Sequence, residues 1–253
     1  MRKEEFYKTL KERFHQVLAE EKIACEPVSV ICRSLSPEEA IGRPKRKDYP
    51  ILTGKDIMIQ AQFRDSLGQA FTDAPADFQG TLEEVLEMDI LKDAHSRGVF
   101  IAVLNAVMCH LNRCTGTVHC RTEGPELCAG DMREYLRVHY PHLEKITLVG
   151  YQPSLLEMLH QSGYQVRALD LNKANIGTNR CGVTVEDGVT ARDAALRDAQ
   201  LVLCTGSTVC NGTIVDYLDL PQEVVFFGTT ISGTAPLMGL KRACFAENYR
   251  QEY

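Results

Sequence analysis

Apolar positions follow two rhythms along this chain, and the change of rhythm divides it. In the first half Phe6, Leu10, Phe14, Val17 and Leu18 recur at three- and four-residue spacing, which predicts an amphipathic helix with one face to bury. The segments "VSVICRSL" (28–35) and "KDIMIQAQFRD" (55–65) predict strands, and the Gly, Asp and Pro of "SLGQAFTDAP" (66–75) predict a turn. "GTLEEVLEMDIL" (80–91) sets a Thr before a Glu-rich first turn, the signature of a helix start. "RGVFIAVLNAVMCHLNR" (97–113) is apolar on nearly every side and predicts a central, buried helix.

From about residue 145 the apolar runs become short and continuous. "KITLVGY", "QVRALDL", "QLVLCTG" and "EVVFFGTT" predict strands, separated by "PSLLEMLHQSG", "ARDAALRDA" and "GTIVDYLDL", which predict helices. Strands of near-continuous Val, Ile, Leu and Phe need cover on both faces, so the alternation predicts a parallel sheet in an α/β layer. The expected architecture is an N-terminal α+β domain over 1–137 packed on a Rossmann-like domain over 138–253. The boundary falls at the Pro of "HYPHLEK" (139–145).

Composition narrows the partners. A formal net charge of −6 over 253 residues argues against a nucleic-acid surface, which needs clustered cations. The one dense basic run, "RPKRK" (43–47), reads as a solvated loop or an anion contact. No run approaches the ~18 apolar residues of a membrane span, and the charged first 22 residues lack a secretory apolar core, so a cytoplasmic location is expected. In a reducing compartment the ten cysteines should be free thiols or ligands.

Ligands of an open parallel sheet bind beyond the carboxyl ends of its strands. The first such end, "VGYQPS", offers Gly150 for close backbone approach but lacks the G-x-G-x-x-G of a pyrophosphate loop. The second ends in Asp170, twenty residues after Gly150, where a carboxylate can hold ribose hydroxyls or simply cap the next turn. The third, "CTGSTVCNGT" (204–213), and the fourth, "GTTISGTAP" (228–236), each follow a Gly with two hydroxyl residues, a pairing suited to a carboxylate or phosphate and equally to helix capping. Cys204, inside a predicted strand, reads as core.

"TVHCRTEGPELCAG" (117–130) holds His119, Cys120 and Cys128 around a Gly-Pro expected to turn. Thiolate and imidazole are ligands for Zn, Fe or Cu, although the spacing is not that of a zinc knuckle, so metal ligands and buried thiols both remain open. If the segment is extended, adjacent His119 and Cys120 point to opposite sides. Glu123 and Glu126 read as acid, base or solvated groups. Asn105, inside the apolar helix, must find a hydrogen bond, internal or to a ligand.

"GQAFTD" (68–73), "FIAVLNAV" (100–107), "TVHCRTEGPELCA" (117–129), "LVGYQPSLLEML" (148–159), "LCTGSTVCNGT" (203–213) and "FFGTTISGTAPL" (226–237) together resemble the family named "putative heavy-metal chelation". That resemblance implies an N-terminal domain like the small domain of enolase, a Rossmann-like C-terminal domain and a site in the cleft between them. Carried onto this chain, it implies a cleft lined by Asn105, Gly150, Asp170, Thr205, Gly206, Ser207, Thr208, Asn211, Thr229 and Thr230, with Gly228 at the head of the last loop. The expected function is metal handling with a small anionic molecule or metal chelate in the cleft and a soft metal on His119, Cys120 and Cys128. The rivals are a transferase using S-adenosylmethionine or another nucleoside-type cofactor, and a regulatory binding module without chemistry. Whether the chain is an enzyme, and whether it forms a homo-oligomer, stay open.

Overall fold

The computed structural model describes residues 1–23, 30–53 and 57–249. The first two residues of "VSVICRSL" and of "KDIMIQAQFRD", and Cys25, lie outside them.

Helix α1 (Lys3–Glu20) buries the predicted stripe of Phe6, Leu10, Phe14, Val17 and Leu18, and Tyr7 with it. Strands β1 (Val30–Leu35), β2 (Ile57–Phe63), β3 (Ser66–Thr72) and β4 (Phe78–Gly80) form an antiparallel sheet in the order β3-β2-β1-β4. The chain reverses one step earlier than predicted. Phe63 pairs with Ser66, so Arg64, at φ 53°, makes the turn and 66–72 is a strand. Gly68 is there for clearance, since a Cβ on it would meet the backbone of Ala106 at 2.2 Å on α4 (Ala94–His110). That helix is the predicted apolar one, and Arg97 through Met108 are all buried. The short helices α2 (Pro37–Ile41) and α3 (Leu82–Glu87) both carry capping boxes, from Ser36 with Glu39 and from Thr81 with Glu84.

Helix α5 (Gly124–His139) leads into the second sheet, built from β5 (Lys145–Val149), β6 (Gln165–Asp170), β7 (Asn179–Arg180), β8 (Val183–Asp187), β9 (Leu201–Thr205) and β10 (Glu223–Phe227). Their order is β10-β9-β5-β6-β8-β7, parallel throughout except for β7 against β8. All four predicted strands are present. Helices α5 and α6 (Pro153–Gln161) cover one face, burying Met132, Leu136, Leu156 and Leu159 against Ile146, Leu148 and Leu203. The other face joins α7 (Arg192–Asp198) with α1, α3 and α4 in one hydrophobic cluster that runs from Phe6 and Phe100 to Val202 and Phe226, while Ala40 and Ile41 of α2 pack in a small cluster of their own with Leu35 and Met58. Both halves of the chain therefore share a core.

Two further expectations change. "GTIVDYLDL" makes only a 3-10 turn, Ile214–Tyr217, because the chain goes extended at Leu218 and left-handed at Asp219. The Gly-Pro of 124–125 is not a turn between two cysteines. It opens α5, with Pro125 in the first turn, where its missing N–H costs nothing.

Candidate functional site

Strand β5 has β6 on one side and β9 on the other, so the chain leaves it in opposite directions and a crevice opens at the carboxyl ends. Gly150 sits in that crevice at φ 86°, and a Cβ on it would lie 2.5 Å from Thr205 Cγ2 at the end of β9. From the opposite side the end of β3 closes over the crevice. There the Phe71 amide donates to Thr230 Oγ1 at 3.0 Å. The result is two adjoining pockets that share Pro50, Phe71, Tyr151, Thr205 and Ser207 as their partition. Tyr151 is held there by its hydroxyl, which donates to Asp48 at 2.9 Å, and Asp48 in turn pairs with Arg46 at 2.7 Å.

The smaller pocket, about 150 Å³, has a wall of sulfur. Residues 117–119 run beside β3, with the Gln69 amide donating to the Thr117 carbonyl (2.9 Å) and the His119 amide to Gln69 Oε1 (2.7 Å). His119 stands edge-on to Phe71, with 5.5 Å between ring centres. Its Nδ1–H donates to the Cys120 carbonyl at 2.6 Å, which leaves Nε2 with its lone pair. Burial holds its pKa below the ordinary value, so the ring is neutral at neutral pH. Cys128 lies at the start of the second turn of α5. Cys244 comes from the tail that runs beside β10, where the Phe226 amide donates to the Lys241 carbonyl and the Ala243 amide to the Phe226 carbonyl. Cys120, Cys128 and Cys244 all line this pocket together with His119. Contact with the Cys120 thiol, ahead of burial, pushes the Cys128 pKa up to about 12. Contact with Cys128, then burial, raises Cys244 well above the ordinary thiol. These are protonated thiols, not resting thiolates. The donor set is chemically right for a soft metal. Among the described residues, however, no three His, Cys, Asp or Glu side chains are placed to hold a metal ion as they stand. The nine described cysteines are free.

The larger pocket, about 440 Å³, lies over Gly150, Asp170 and Thr205, with Phe71, Thr72 and Asp73 as its opposite wall. Asp170 accepts from the Tyr151 amide (2.9 Å), the Asn172 amide (2.6 Å) and Asn175 Nδ2 (3.3 Å). It is pinned by its own loop while still facing the cavity.

The remaining expected site residues divide. Gly206, Gly228 and Thr229 line the smaller pocket, Thr208 and Asn211 the larger, and Ser207 both. Most of the loop hydroxyls serve the protein itself: Thr208 Oγ1 donates to the Thr205 carbonyl and Thr230 Oγ1 accepts from Phe71. Asn105 lines neither pocket. It is fully buried and donates to the carbonyls of Gln69, Thr229 and Thr230 while accepting from the Gly233 amide, so it latches the two sheets together. Three cations of the basic run 43–47 are ion-paired, Arg43 with Glu38, Lys45 with Glu123 and Arg46 with Asp48 and Glu157, while Lys47 donates to the Pro44 carbonyl. Glu126 accepts from the Tyr49 hydroxyl at 2.9 Å. Sequence reasoning missed Cys244 and Tyr217. The helical spacing of Ala129, Met132 and Leu136 would have placed Cys128 on a helix.

Residues 136–241 match the family described as "Putative heavy-metal chelation" (DUF364), the family that the motifs resemble. No curated protein matches the chain. Two solved structures of proteins with unknown function from that family are similar to it. One, from Pyrococcus horikoshii, is 14% identical over 87% of this chain and 79% of that one, with a TM-score of 0.49. The other, from Desulfitobacterium hafniense, is 11% identical over 72% of each, with a TM-score of 0.45.

Proposed function

We propose that this chain, whose C-terminal half matches the heavy-metal-chelation family, takes up a soft metal ion as cargo through the sulfur-walled pocket between its two sheets. The observation that supports the reading is the convergence of three thiols from separate segments, Cys120, Cys128 and Cys244, with a neutral imidazole on one cavity of metal-chelate size. Sulfur and imidazole favour Cu(I), Zn(II) or Fe(II) over hard cations. Because Cys128 and Cys244 are protonated at rest and the cysteines are not at ligand spacing, uptake draws the sulfurs inward and releases protons from Cys128 and Cys244, so affinity rises with pH.

The test is an anaerobic titration with Co(II) and Zn(II), reading thiolate-to-cobalt charge-transfer absorption and bound metal per chain. The expected result is stoichiometric uptake with a charge-transfer band, lost in Cys128→Ser and in Cys244→Ser. Uptake that is absent, or unchanged when all three cysteines are replaced, overturns the reading.

A further inference from the structure

The larger pocket has a different chemistry from the sulfur wall, and its unspent polar groups say what it accepts. Tyr217, on the 3-10 turn Ile214–Tyr217, is only 4% exposed, and its hydroxyl has no hydrogen-bond partner among the described residues. That hydroxyl is not fully enclosed, so it meets solvent at the pocket, where a ligand acceptor can take the place of water on it. Asp170 is the second open group. A carboxylate has about four acceptor directions. Three are filled by Tyr151, Asn172 and Asn175, two of them on Oδ2, which leaves Oδ1 with one direction for a ligand hydroxyl. Gly150 and Gly188 flank this carboxylate without side chains, so a ligand ring can lie close to the backbone there.

Charge decides the class. Among the lining residues Asp73 and Asp170 are acidic, and Lys173, exposed at the rim, is the one cation. Arg97 lies behind the wall, not in it. Its guanidinium is spent on the carbonyls of Cys210, Ile90 and Leu91. Such a cavity repels a phosphate or pyrophosphate and favours an uncharged or cationic ligand that brings hydroxyl donors. Leu171, apolar and 47% exposed, stands at the pocket with Phe71, a place for a flat apolar group beside the hydroxyl-binding carboxylate. The crevice between β5 and β9 is also where open α/β sheets hold nucleosides.

We infer that the larger pocket binds an unphosphorylated nucleoside, neutral or cationic, with a ribose hydroxyl on Asp170 and a ligand acceptor on the Tyr217 hydroxyl. This site is separate from the metal pocket, and neither assignment depends on the other.

The inference is tested by isothermal titration of the full chain with adenosine, S-adenosylmethionine, AMP and ribose. Adenosine or S-adenosylmethionine binds, and AMP binds at least about tenfold more weakly than adenosine. Tyr217→Phe, which removes only an unpaired hydroxyl, weakens nucleoside binding roughly three- to tenfold while leaving the melting temperature equal or higher. Absence of heat with both nucleosides, AMP binding as tightly as adenosine, ribose binding as tightly as adenosine, or an indifferent Tyr217→Phe would each overturn it. Cobalt uptake measured on the same variant stays unchanged, so failure of the nucleoside assignment is distinguishable from failure of the metal one.

Discussion

The two pockets share a partition of Pro50, Phe71, Tyr151, Thr205 and Ser207, yet they were finished by opposite means. In the smaller, the chemistry-bearing atoms lean on each other: Cys128 contacts Cys120 and Cys244, and His119 spends its Nδ1 proton on the Cys120 carbonyl. In the larger, Tyr217 and one oxygen of Asp170 keep unused hydrogen-bonding capacity. The difference teaches that lining residues alone do not define a ligand. What counts is which of their atoms the fold has left without work. Thiols that contact one another must rearrange to bind, with His119 Nε2 and the unpaired Thr229 hydroxyl as the spare groups beside them, whereas a pocket whose carboxylate and phenol already have open directions is ready.

The contrast breaks altogether if the partition collapses. Asn105→Leu removes four buried hydrogen bonds and strands the Gly233 amide, so it should cost about 4 kcal/mol by chemical denaturation and disable both pockets. Gly150→Val separates the two. Its Cβ collides with Thr205 and its φ of 86° strains any side chain, for a loss of about 2–3 kcal/mol. It should abolish nucleoside binding and leave metal uptake largely intact, as seen by parallel titrations of the same protein. A smaller effect sharpens the account of the sulfur wall. His119 has a folded pKa below the unfolded value near 6.5, so the folded state binds fewer protons than the unfolded chain once the pH drops below that value. Its contribution is complete above about pH 6.5 and is lost as pH falls towards the folded pKa. His119→Gln should therefore flatten the fall in stability as pH drops below about 6.5, read from urea midpoints.

How much of this could be read from the chain alone depends on the reach of the interaction. The four apolar parallel strands and α4 were legible because continuous or periodic burial is written locally, in runs such as "KITLV" and "FIAVLNAV". The strand at 66–72 was misread because Gly68 looks like turn chemistry, when its task is to let β3 touch α4. Helix α5 was hidden by a Gly-Pro pair that suits a helix start as well as a turn. Gly150 and Asp170 were placed correctly at strand ends, since topology puts them there. Cys244 was beyond reach. It lies 116 residues from Cys128, and only the pairing of the tail beside β10 brings it to the pocket. Asn105 was rightly singled out as a polar group needing partners, but nothing local could say that those partners are backbone carbonyls from both halves.

The hydrophobic cluster that runs unbroken from α1 through α4 to the face of β9 and β10 bears on how the cleft is used. Proteins that trap ligands between two lobes usually swing those lobes about a hinge. Here the lobes are joined by the most deeply buried helix of the chain, so opening the cleft by rotation would expose the very surface that holds the protein together. Exchange must proceed through the pocket mouths, by side-chain and loop motions faster than any domain swing. The two halves should accordingly melt as one cooperative unit, with a single calorimetric transition whose van't Hoff and calorimetric enthalpies agree.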